Sequence, residues 1–193
     1  MDDNPSASSY SYKPSLFGLP SHFELTANGL SWSSGRRAGV IPYGAIERVR
    51  ISFRPSGLLG RTYLTEIWSS SAPKLTISSQ SAKSMVEKTN QAAPYRAFVE
   101  ALHRRLGAAG SKAQMVGGIA PYLYWPGVAI FFGVVASFFV LILRALQTGT
   151  FAGALFISAF LVLFVWQIGG YFRWNHPGIY NADALPPDLL PPL

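Results

Sequence analysis

Two apolar stretches decide the fold of this chain: PGVAIFFGVVASFFVLILRAL at residues 126–146 and FAGALFISAFLVLFVWQIGGYF at residues 151–172. The first contains one charge, Arg144, and the second contains none. A helix needs roughly 20 mostly apolar residues to cross the hydrocarbon core of a bilayer, and each stretch is about that long. Because only QTGT at residues 147–150 separates them, the sequence predicts a transmembrane helical hairpin over residues 126–172.

The net charge of the chain is concentrated before this hairpin. There are 16 Lys and Arg against 9 Asp and Glu, a formal net charge of +7, and after Lys112 the residues Arg144 and Arg173 balance Asp183 and Asp188. A basic domain suits a position near anionic lipid headgroups, but an ordinary basic protein surface carries the same charge. The chain has no cysteine, which excludes disulfides, thiolate catalysis and cysteine-ligated metal sites.

Two segments are predicted to be irregular. Residues 1–15 are rich in Ser, Pro and Tyr and have too few aliphatic residues to form a core, so they are predicted to be a disordered tail. The polar, acidic first residues also lack the apolar segment of a secretory signal, so the hairpin is expected to direct the chain to the membrane. Residues 108–125, rich in Gly and Ala, are predicted to be a flexible linker.

Residues 16–107 carry the period-two alternation of a β domain. Asn28-Gly29 lies between the alternating runs FELTA and LSW and predicts a hairpin, with positive φ at both turn residues. The clearest strand is IERVRISFR at residues 46–54, whose apolar and basic residues alternate. Further short runs at residues 38–43, 61–68 and 74–79 bring the total to about six strands.

The β domain is predicted to end in an amphipathic helix over residues 92–106. Its apolar residues recur at helical spacing and form one stripe, which is expected to pack on the sheets. The residues of this stripe are Tyr95, Phe98, Val99, Leu102 and Leu106.

Three segments carry a family resemblance: FELTANGLSW at residues 23–32, IPYGAI at 41–46 and YRAFVEALH at 95–103. They resemble a pleckstrin-homology-like domain over roughly residues 22–106. The resemblance implies a bent antiparallel β-barrel or sandwich capped by a C-terminal helix, with a seventh strand that is irregular or lies within residues 81–89. Similar domains precede helical hairpins in bacterial membrane proteins. The expected fold class is therefore an α+β membrane protein of the bacterial inner membrane.

A row of arginines on the strand at residues 46–54 is the best candidate for a binding site. Alternate residues of a strand are about 6.5–7 Å apart on one face, a spacing that suits phosphates or acidic side chains. The other interpretation is a solvated strand face. The candidate basic face comprises Arg48, Arg50 and Arg54, with Arg36, Arg37 and Arg61 expected nearby.

Two kinds of ligand are not expected at this basic face. Eukaryotic members of the resembling family bind phosphoinositides through basic residues near the first hairpin loop, but here that loop is Asn28-Gly29. The arginine row also has no exposed interleaved aromatic residues on which bases could stack, so nucleic acid is not an expected partner.

Aromatic residues flank both predicted spans and are expected to be interfacial anchors. They are Tyr122, Tyr124, Trp125, Trp166, Tyr171 and Trp174. The connection at residues 147–150 is uncharged, whereas Arg104, Arg105, Lys112 and Arg173 flank the other ends of the hairpin. The positive-inside rule therefore predicts that both termini are cytoplasmic.

Two pairs of small residues are candidates for close helix packing. They are Gly133 with Ser137 on the first span and Ala154 with Ser158 on the second. Packing of the hairpin on itself is the favoured interpretation, and packing on a partner is the alternative.

The tail at residues 173–193 contains LPPDLLPPL, which favours an extended polyproline-type segment. Its candidate docking residues are Leu185, Leu189, Leu190 and Leu193. Docking on a partner is favoured, with docking on its own domain and a poorly ordered terminus as alternatives.

The sequence contains no recognisable catalytic or cofactor motif. His22, His103 and His176 lack the spacing of metal ligands and are interpreted as surface or packing residues. We therefore expect a non-enzymatic protein without a cofactor or metal. One hypothesis is a membrane-anchored binding or scaffolding module whose domain recognises a protein or a lipid surface. The other is a structural accessory subunit that packs against a larger membrane complex.

Overall fold

The structure is a computed structural model that describes residues 8–15, 18–56, 60–82, 88–182 and 184–192, with residues 55, 56, 60, 61 and 88 described by their backbone alone. The chain forms two compact units. One comprises Met1–Gly118 together with Gly178–Leu193, and the other is Ile119–Pro177. The first unit is α+β and the second consists of two long apolar helices.

The strands are β1 (Ser9–Tyr12), β2 (Ser21–Thr26), β3 (Gly29–Ser34), β4 (Arg37–Ile41), β5 (Ile46–Ser56), β6 (Gly60–Ser69), β7 (Leu75–Ser78), β8 (Gln80–Ala82), β9 (Lys88–Asn90), β10 (Gln114–Gly117) and β11 (Gly178–Tyr180). The helices are α1 (Ala92–Ala108), α2 (Pro121–Gln147) and α3 (Phe151–Trp174), with 3-10 turns at Tyr43–Ala45 and Pro187–Leu189.

The first sheet is antiparallel with strand order β1-β2-β3-β4. The hairpin predicted around Asn28-Gly29 is confirmed as β2 and β3, in which Phe23 pairs with Trp32. The turn differs from the prediction because, of its two residues, Gly29 alone has a positive φ, of 149°. A Cβ at Gly29 would also collide with the Ile41 carbonyl, so this position requires glycine.

Strand β1 lies within the segment that was expected to be disordered. The rings of Tyr10 and Tyr12 are buried, and the serines between them point outward. The expectation of disorder is therefore wrong for residues 9–12, because Ser-rich composition concealed a period-two pattern with two aromatic residues on one face. Residues 1–7 lie outside the described residues.

The second sheet has the order β11-β10-β5-β6-β7 and contains the three predicted strands β5, β6 and β7. Strand β10 pairs parallel to β5 and antiparallel to β11. Residues 108–125 are thus not uniformly a flexible linker, because 114–117 form β10 and Met115 is buried. The strand expected within residues 81–89 is represented by the separate short pair β8–β9, with residues 83–87 outside the described part of the chain.

The expected barrel is not confirmed, because the two main sheets do not close on each other. Side chains connect their edges instead. The Tyr10 hydroxyl donates to the Ser78 carbonyl at 2.6 Å, and the Tyr12 hydroxyl donates to the Thr76 carbonyl at 2.6 Å. Two tyrosines of β1 therefore supply hydrogen bonds that a strand neighbour of β7 would otherwise provide.

Helix α1 provides the central part of the core, as its stripe predicted. Tyr95, Phe98, Val99, Leu102 and Leu106 are fully buried. The aromatic rings of the helix meet those of both β1 and β2, with centroids of Phe98 at 5.8 Å from Tyr10 and 6.5 Å from Phe23. Aromatic contacts therefore join α1 to the first sheet, in the tilted geometries that aromatic pairs favour.

Helices α2 and α3 have 27 and 24 residues and are long and apolar enough to cross a membrane. They pair in an antiparallel hairpin, in which Phe131 stacks on Phe164 and Phe138 packs on Phe160, each with centroids 5.6 Å apart. Helix α2 begins at Pro121, before the predicted start at residue 126. Pro126 is tolerated near this end, where it removes one backbone hydrogen bond.

Candidate functional site

The predicted arginine row lies on one face of the second sheet. Arg48 is opposite Trp68 in the ladder between β5 and β6, and Arg50 is opposite Glu66. Arg54 is at the other end of β5, opposite Thr62. Because each arginine is opposite a different residue of β6, its environment is set by that residue rather than by the neighbouring arginines.

Trp68 is the centre of a group of three cations. The guanidinium carbons of Arg48 and Arg50 are 5.9 Å and 5.1 Å from the centroid of its ring, and the Lys74 Nζ is 4.9 Å from it. Each distance is within the range of a cation–π interaction, for which tryptophan is the best aromatic partner. We call Arg48, Arg50, Glu66, Trp68 and Lys74 the Trp68 cluster.

Glu66 neutralises part of the charge of the Trp68 cluster. Its carboxylate is 2.5 Å from the Lys74 Nζ and 3.9 Å from the Arg50 Nη1. The Glu66 side chain is 11% exposed and that of Arg50 20%, whereas Lys74 is 46% exposed and Arg48 is exposed. The cluster therefore has a half-buried interior and two accessible cations, Arg48 and Lys74, at its surface.

The interior of the cluster is incompletely hydrogen-bonded. The Arg50 Nε is buried and has no hydrogen-bond partner among the described residues. Arg48 is positioned by its Nε, which donates to the Gln114 side-chain oxygen on β10 at 3.2 Å. With three cations against one carboxylate, the cluster can attract an anionic group, and it can hold that group through Arg48 and Lys74.

The remaining arginines of the predicted face are not all brought to this cluster. Arg36 and Arg37 are exposed at the turn between β3 and β4, in the other sheet. Arg61 is opposite Pro55 in the ladder, and its side chain is outside the described atoms. The six residues therefore do not form one surface on the second sheet.

Sequence reasoning missed Trp68, Lys74 and Glu66, because it found no exposed aromatic residue interleaved with the arginines and did not consider the neighbouring strand. The aromatic residue is on the neighbouring strand, in register with Arg48. The alternation of β6 could have placed Trp68 and Glu66 on one face, but only the cross-strand register puts that face beside the arginines.

His103 is a packing residue in the first unit. It is 2% exposed, its Nδ1 is 2.7 Å from the Val99 carbonyl, and its Nε2 is 3.0 Å from the Tyr180 hydroxyl. Burial lowers the pKa of His103 below its usual 6.5, so the ring is neutral near pH 7. Since a carbonyl only accepts, the Nδ1 carries the proton and the Tyr180 hydroxyl donates to the Nε2. His22 and His176 are exposed.

The C-terminal tail lies on its own domain. Leu190 is 3% exposed, Leu185 and Leu189 are half-buried, and the Arg96 Nη1 donates to the Pro191 carbonyl at 3.1 Å. A Cβ at Gly117 would be only 2.9 Å from the Leu189 Cδ1, so glycine permits this close approach. Docking on the domain was the less favoured interpretation, and Leu193 lies outside the described residues.

The two pairs of small residues in the helices have different environments. Ala154 is buried and Ser158 half-buried, whereas Gly133 and Ser137 are exposed. A Cβ at Gly133 would meet no atom within 4 Å, and the Ser137 hydroxyl donates to the Gly133 carbonyl at 2.9 Å. Gly133 and Ser137 therefore do not pack the hairpin on itself, which was the favoured interpretation for them.

The predicted aromatic anchors lie near the ends of α2 and α3 that the hairpin connection does not join. Tyr122, Trp125 and Trp166 are 76%, 61% and 66% exposed. Tyr124 is instead buried, with its ring edge-on to Phe172 at 5.7 Å. Tyr171 and Trp174 are half-buried at the end of α3.

The described residues contain no group of three or more histidines and carboxylates placed to hold a metal ion. Comparisons of the chain with models of known protein families, with curated proteins and with solved structures give no match.

Proposed function

We propose that this protein is a non-enzymatic, membrane-anchored binding module. Membrane anchoring is supported by the surfaces of α2 and α3. Among their residues only Tyr124 and Ala154 are buried, and large apolar side chains such as Phe156 and Leu155, both 74% exposed, cover both helices. Helices this apolar would be buried in the core of a soluble protein, and a lipid bilayer is the environment that covers them at no cost.

The Trp68 cluster is the observation that carries the binding role. It presents Arg48 and Lys74 to solvent beside a tryptophan, and its net charge favours an anionic surface on a protein or a lipid bilayer. The proposal includes a pleckstrin-homology-like domain, which is supported by a series of antiparallel strands, β1 to β9, followed by α1.

The orientation proposed is one in which both termini are cytoplasmic. The connection at residues 147–150 is uncharged, and positive residues such as Lys112 and Arg173 flank the opposite ends of the hairpin. Arg144, near the connection, is exposed at the last turn of α2, where its long side chain can extend to the interface.

A pair of double variants tests the binding role. Arg48→Glu/Lys74→Glu reverses the accessible cations of the Trp68 cluster, and Arg36→Glu/Arg37→Glu makes the same change in net charge on the other sheet. Full-length protein in nanodiscs of neutral lipid is mixed with phosphatidylglycerol vesicles, and full-length protein extracted in mild detergent is examined for co-purifying proteins. The cluster variant is expected to lose binding in one of the two assays while the control retains it. Equal binding by both variants and the wild type in both assays contradicts the proposal.

A structural accessory subunit is the second candidate, and the exposed side of α2 favours it. Ala129, Gly133 and Ser137 follow each other at four-residue spacing and are all exposed. Small residues at this spacing allow another membrane helix to approach closely. Gly133→Leu is expected to abolish a fixed-stoichiometry complex in mild detergent, while Gly170→Leu, at an equally open glycine of α3, leaves it intact. A protein that purifies alone excludes this candidate.

A further inference from the structure

A pocket of about 350 Å³ lies on the first unit, at the end of β5 away from the Trp68 cluster. Its walls include Lys13 after β1, Arg54 on β5, Thr62 on β6 and Thr76 on β7. Arg54 is about 20 Å from Arg48 along the same strand, whereas Thr76 on the pocket wall is directly opposite Glu66 of the Trp68 cluster in the ladder between β6 and β7. The pocket is therefore a separate cavity that borders the Trp68 cluster on the second sheet.

The pocket is positively charged. Lys13 and Arg54 line it, and the other described lining residues are neutral, among them hydroxyl and amide side chains. Neither cation has an ion-pair partner among the described residues. Two cations without an ion-pair partner among the described residues attract an anion, and the nearby Glu66 carboxylate, opposite Thr76, is paired with Lys74 instead.

The backbone at the mouth of the pocket is held in place. The Lys13 amide donates to the Ser81 hydroxyl at 2.9 Å, and its carbonyl accepts from the Ala82 amide at 2.9 Å. The neighbouring Tyr12 hydroxyl is bound to the Thr76 carbonyl on the opposite wall. The backbone of Lys13 is therefore already fixed before a ligand binds, which lowers the entropy cost of binding.

The wall of the pocket also contains an unsatisfied donor. Thr62 is 9% exposed, and its hydroxyl is buried without a hydrogen-bond partner in the described part of the chain. A buried hydroxyl in this state costs stability, and a ligand oxygen relieves that cost only if its binding opens the wall at Thr62. Thr62 is directly opposite Arg54 in the ladder, so the unsatisfied hydroxyl is beside one of the two cations.

We propose that this pocket binds the phosphate group of a small molecule or of a lipid headgroup. Arginine and lysine are the side chains that bind phosphate most effectively, arginine through two parallel hydrogen bonds and lysine as a point charge. The volume of the pocket falls in the range of small-molecule sites, roughly 300–1,000 Å³, and leaves room for the body that carries the phosphate. Its hydroxyl and amide walls suit a hydroxylated body such as glycerol.

Thermal unfolding of the full-length protein tests this proposal, because a ligand that binds the folded state raises the Tm. Glycerol 3-phosphate is added to protein in neutral-lipid nanodiscs, against sodium chloride of equal ionic strength. In a second arm phosphatidic acid is incorporated into the disc instead. A Tm increase with the soluble ester assigns a free phosphate compound, and an increase with phosphatidic acid alone assigns a lipid headgroup.

Variants decide whether either increase comes from the pocket. Arg54→Gln and Lys13→Gln are each expected to weaken the apparent affinity at least about tenfold, since each removes a charge-assisted hydrogen bond. Arg37→Gln, at an exposed arginine of the other sheet, is the matched control and is expected to respond as the wild type does. No Tm increase in either arm, or an equal increase in Arg54→Gln, Lys13→Gln and Arg37→Gln, overturns the proposal.

Discussion

Tyr12 connects the two open sheets through its hydroxyl, which donates to the Thr76 carbonyl. Burial raises the pKa of Tyr12 to about 12, so the hydroxyl remains a donor over the whole neutral range. Tyr12→Phe is expected to lower the free energy of unfolding by about 1 kcal/mol, the usual net value of one hydrogen bond. Chemical denaturation of the full-length protein measures the change.

Tyr63→Phe is the matched control for this prediction. Tyr63 is 3% exposed, but its hydroxyl has no partner among the described residues. Removing an unsatisfied buried hydroxyl is expected to leave the free energy of unfolding unchanged or to raise it. A loss in Tyr63→Phe as large as that in Tyr12→Phe contradicts the assignment of the bond between the sheets.

His103 is expected to make the stability of the first unit depend on pH. Burial depresses its pKa in the folded state, so below the usual pKa of 6.5 the unfolded state binds the proton more readily than the folded state. The contribution of neutral His103 to the free energy of unfolding is fully present above pH 6.5 and is lost as the pH falls from 6.5 toward the depressed pKa. Unfolding free energies of wild type and His103→Gln, compared between about pH 7.5 and 5, measure the effect. The wild type is expected to fall more steeply, and parallel profiles contradict the prediction.

At the scale of elements, the C-terminal tail is expected to contribute to the folding of the domain. Leu190 is buried. Substitution of a buried leucine by alanine typically lowers the free energy of unfolding by about 2–5 kcal/mol. Leu190→Ala is therefore expected to lower the unfolding free energy within that range. Leu19→Ala changes a leucine that is 58% exposed and is expected to shift it by less than about 0.5 kcal/mol. A Leu190→Ala shift as small as this control means that the tail does not stabilise the domain.

Sequence periodicity predicted the elements whose own pattern is strong. The stripe of α1, the hairpin at Asn28-Gly29 and the apolar runs of α2 and α3 each contain enough residues to identify their structure. Strands β1, β10 and β11 have three or four residues each, and their short patterns are masked by the Ser-, Gly- or Pro-rich segments around them. Their pairing is fixed by distant partners, such as β5 for β10, which periodicity along the chain does not contain.

The candidate site shows the same limit more sharply. The arginine row could be predicted because Arg48, Arg50 and Arg54 are on a single strand. Trp68 and Lys74 could not be added, because the ladder from β5 to β6 and β7 brings them to the arginines. The sheet pairing in the structure, and not the sequence, shows which arginines share an environment. It places Arg36 and Arg37 on the other sheet.

At the scale of the whole molecule, the first unit is built from two separate segments of the chain, one before and one after the helical hairpin. Strand β10 precedes α2 and strand β11 follows α3, yet the two strands pair with each other. A hairpin that leaves and re-enters one domain requires that both its ends be on the same side of a membrane. The pairing of Met115 with Tyr180 therefore favours both ends of the hairpin on one side of a membrane, as its short connection does.

Accessibility of single cysteines tests this topology, and the absence of native cysteine removes background labelling. Ala38→Cys and Asp188→Cys, both at exposed positions of the first unit, are expected to react with a membrane-impermeant maleimide from the cytoplasmic side. Thr148→Cys, in the connection between α2 and α3, is expected to react from the opposite side. Labelling of right-side-out and inverted vesicles distinguishes the sides. Reaction of Thr148→Cys from the same side as Ala38→Cys means that the hairpin does not cross the bilayer. Reaction of Asp188→Cys from the side opposite to Ala38→Cys is incompatible with the pairing of β10 and β11.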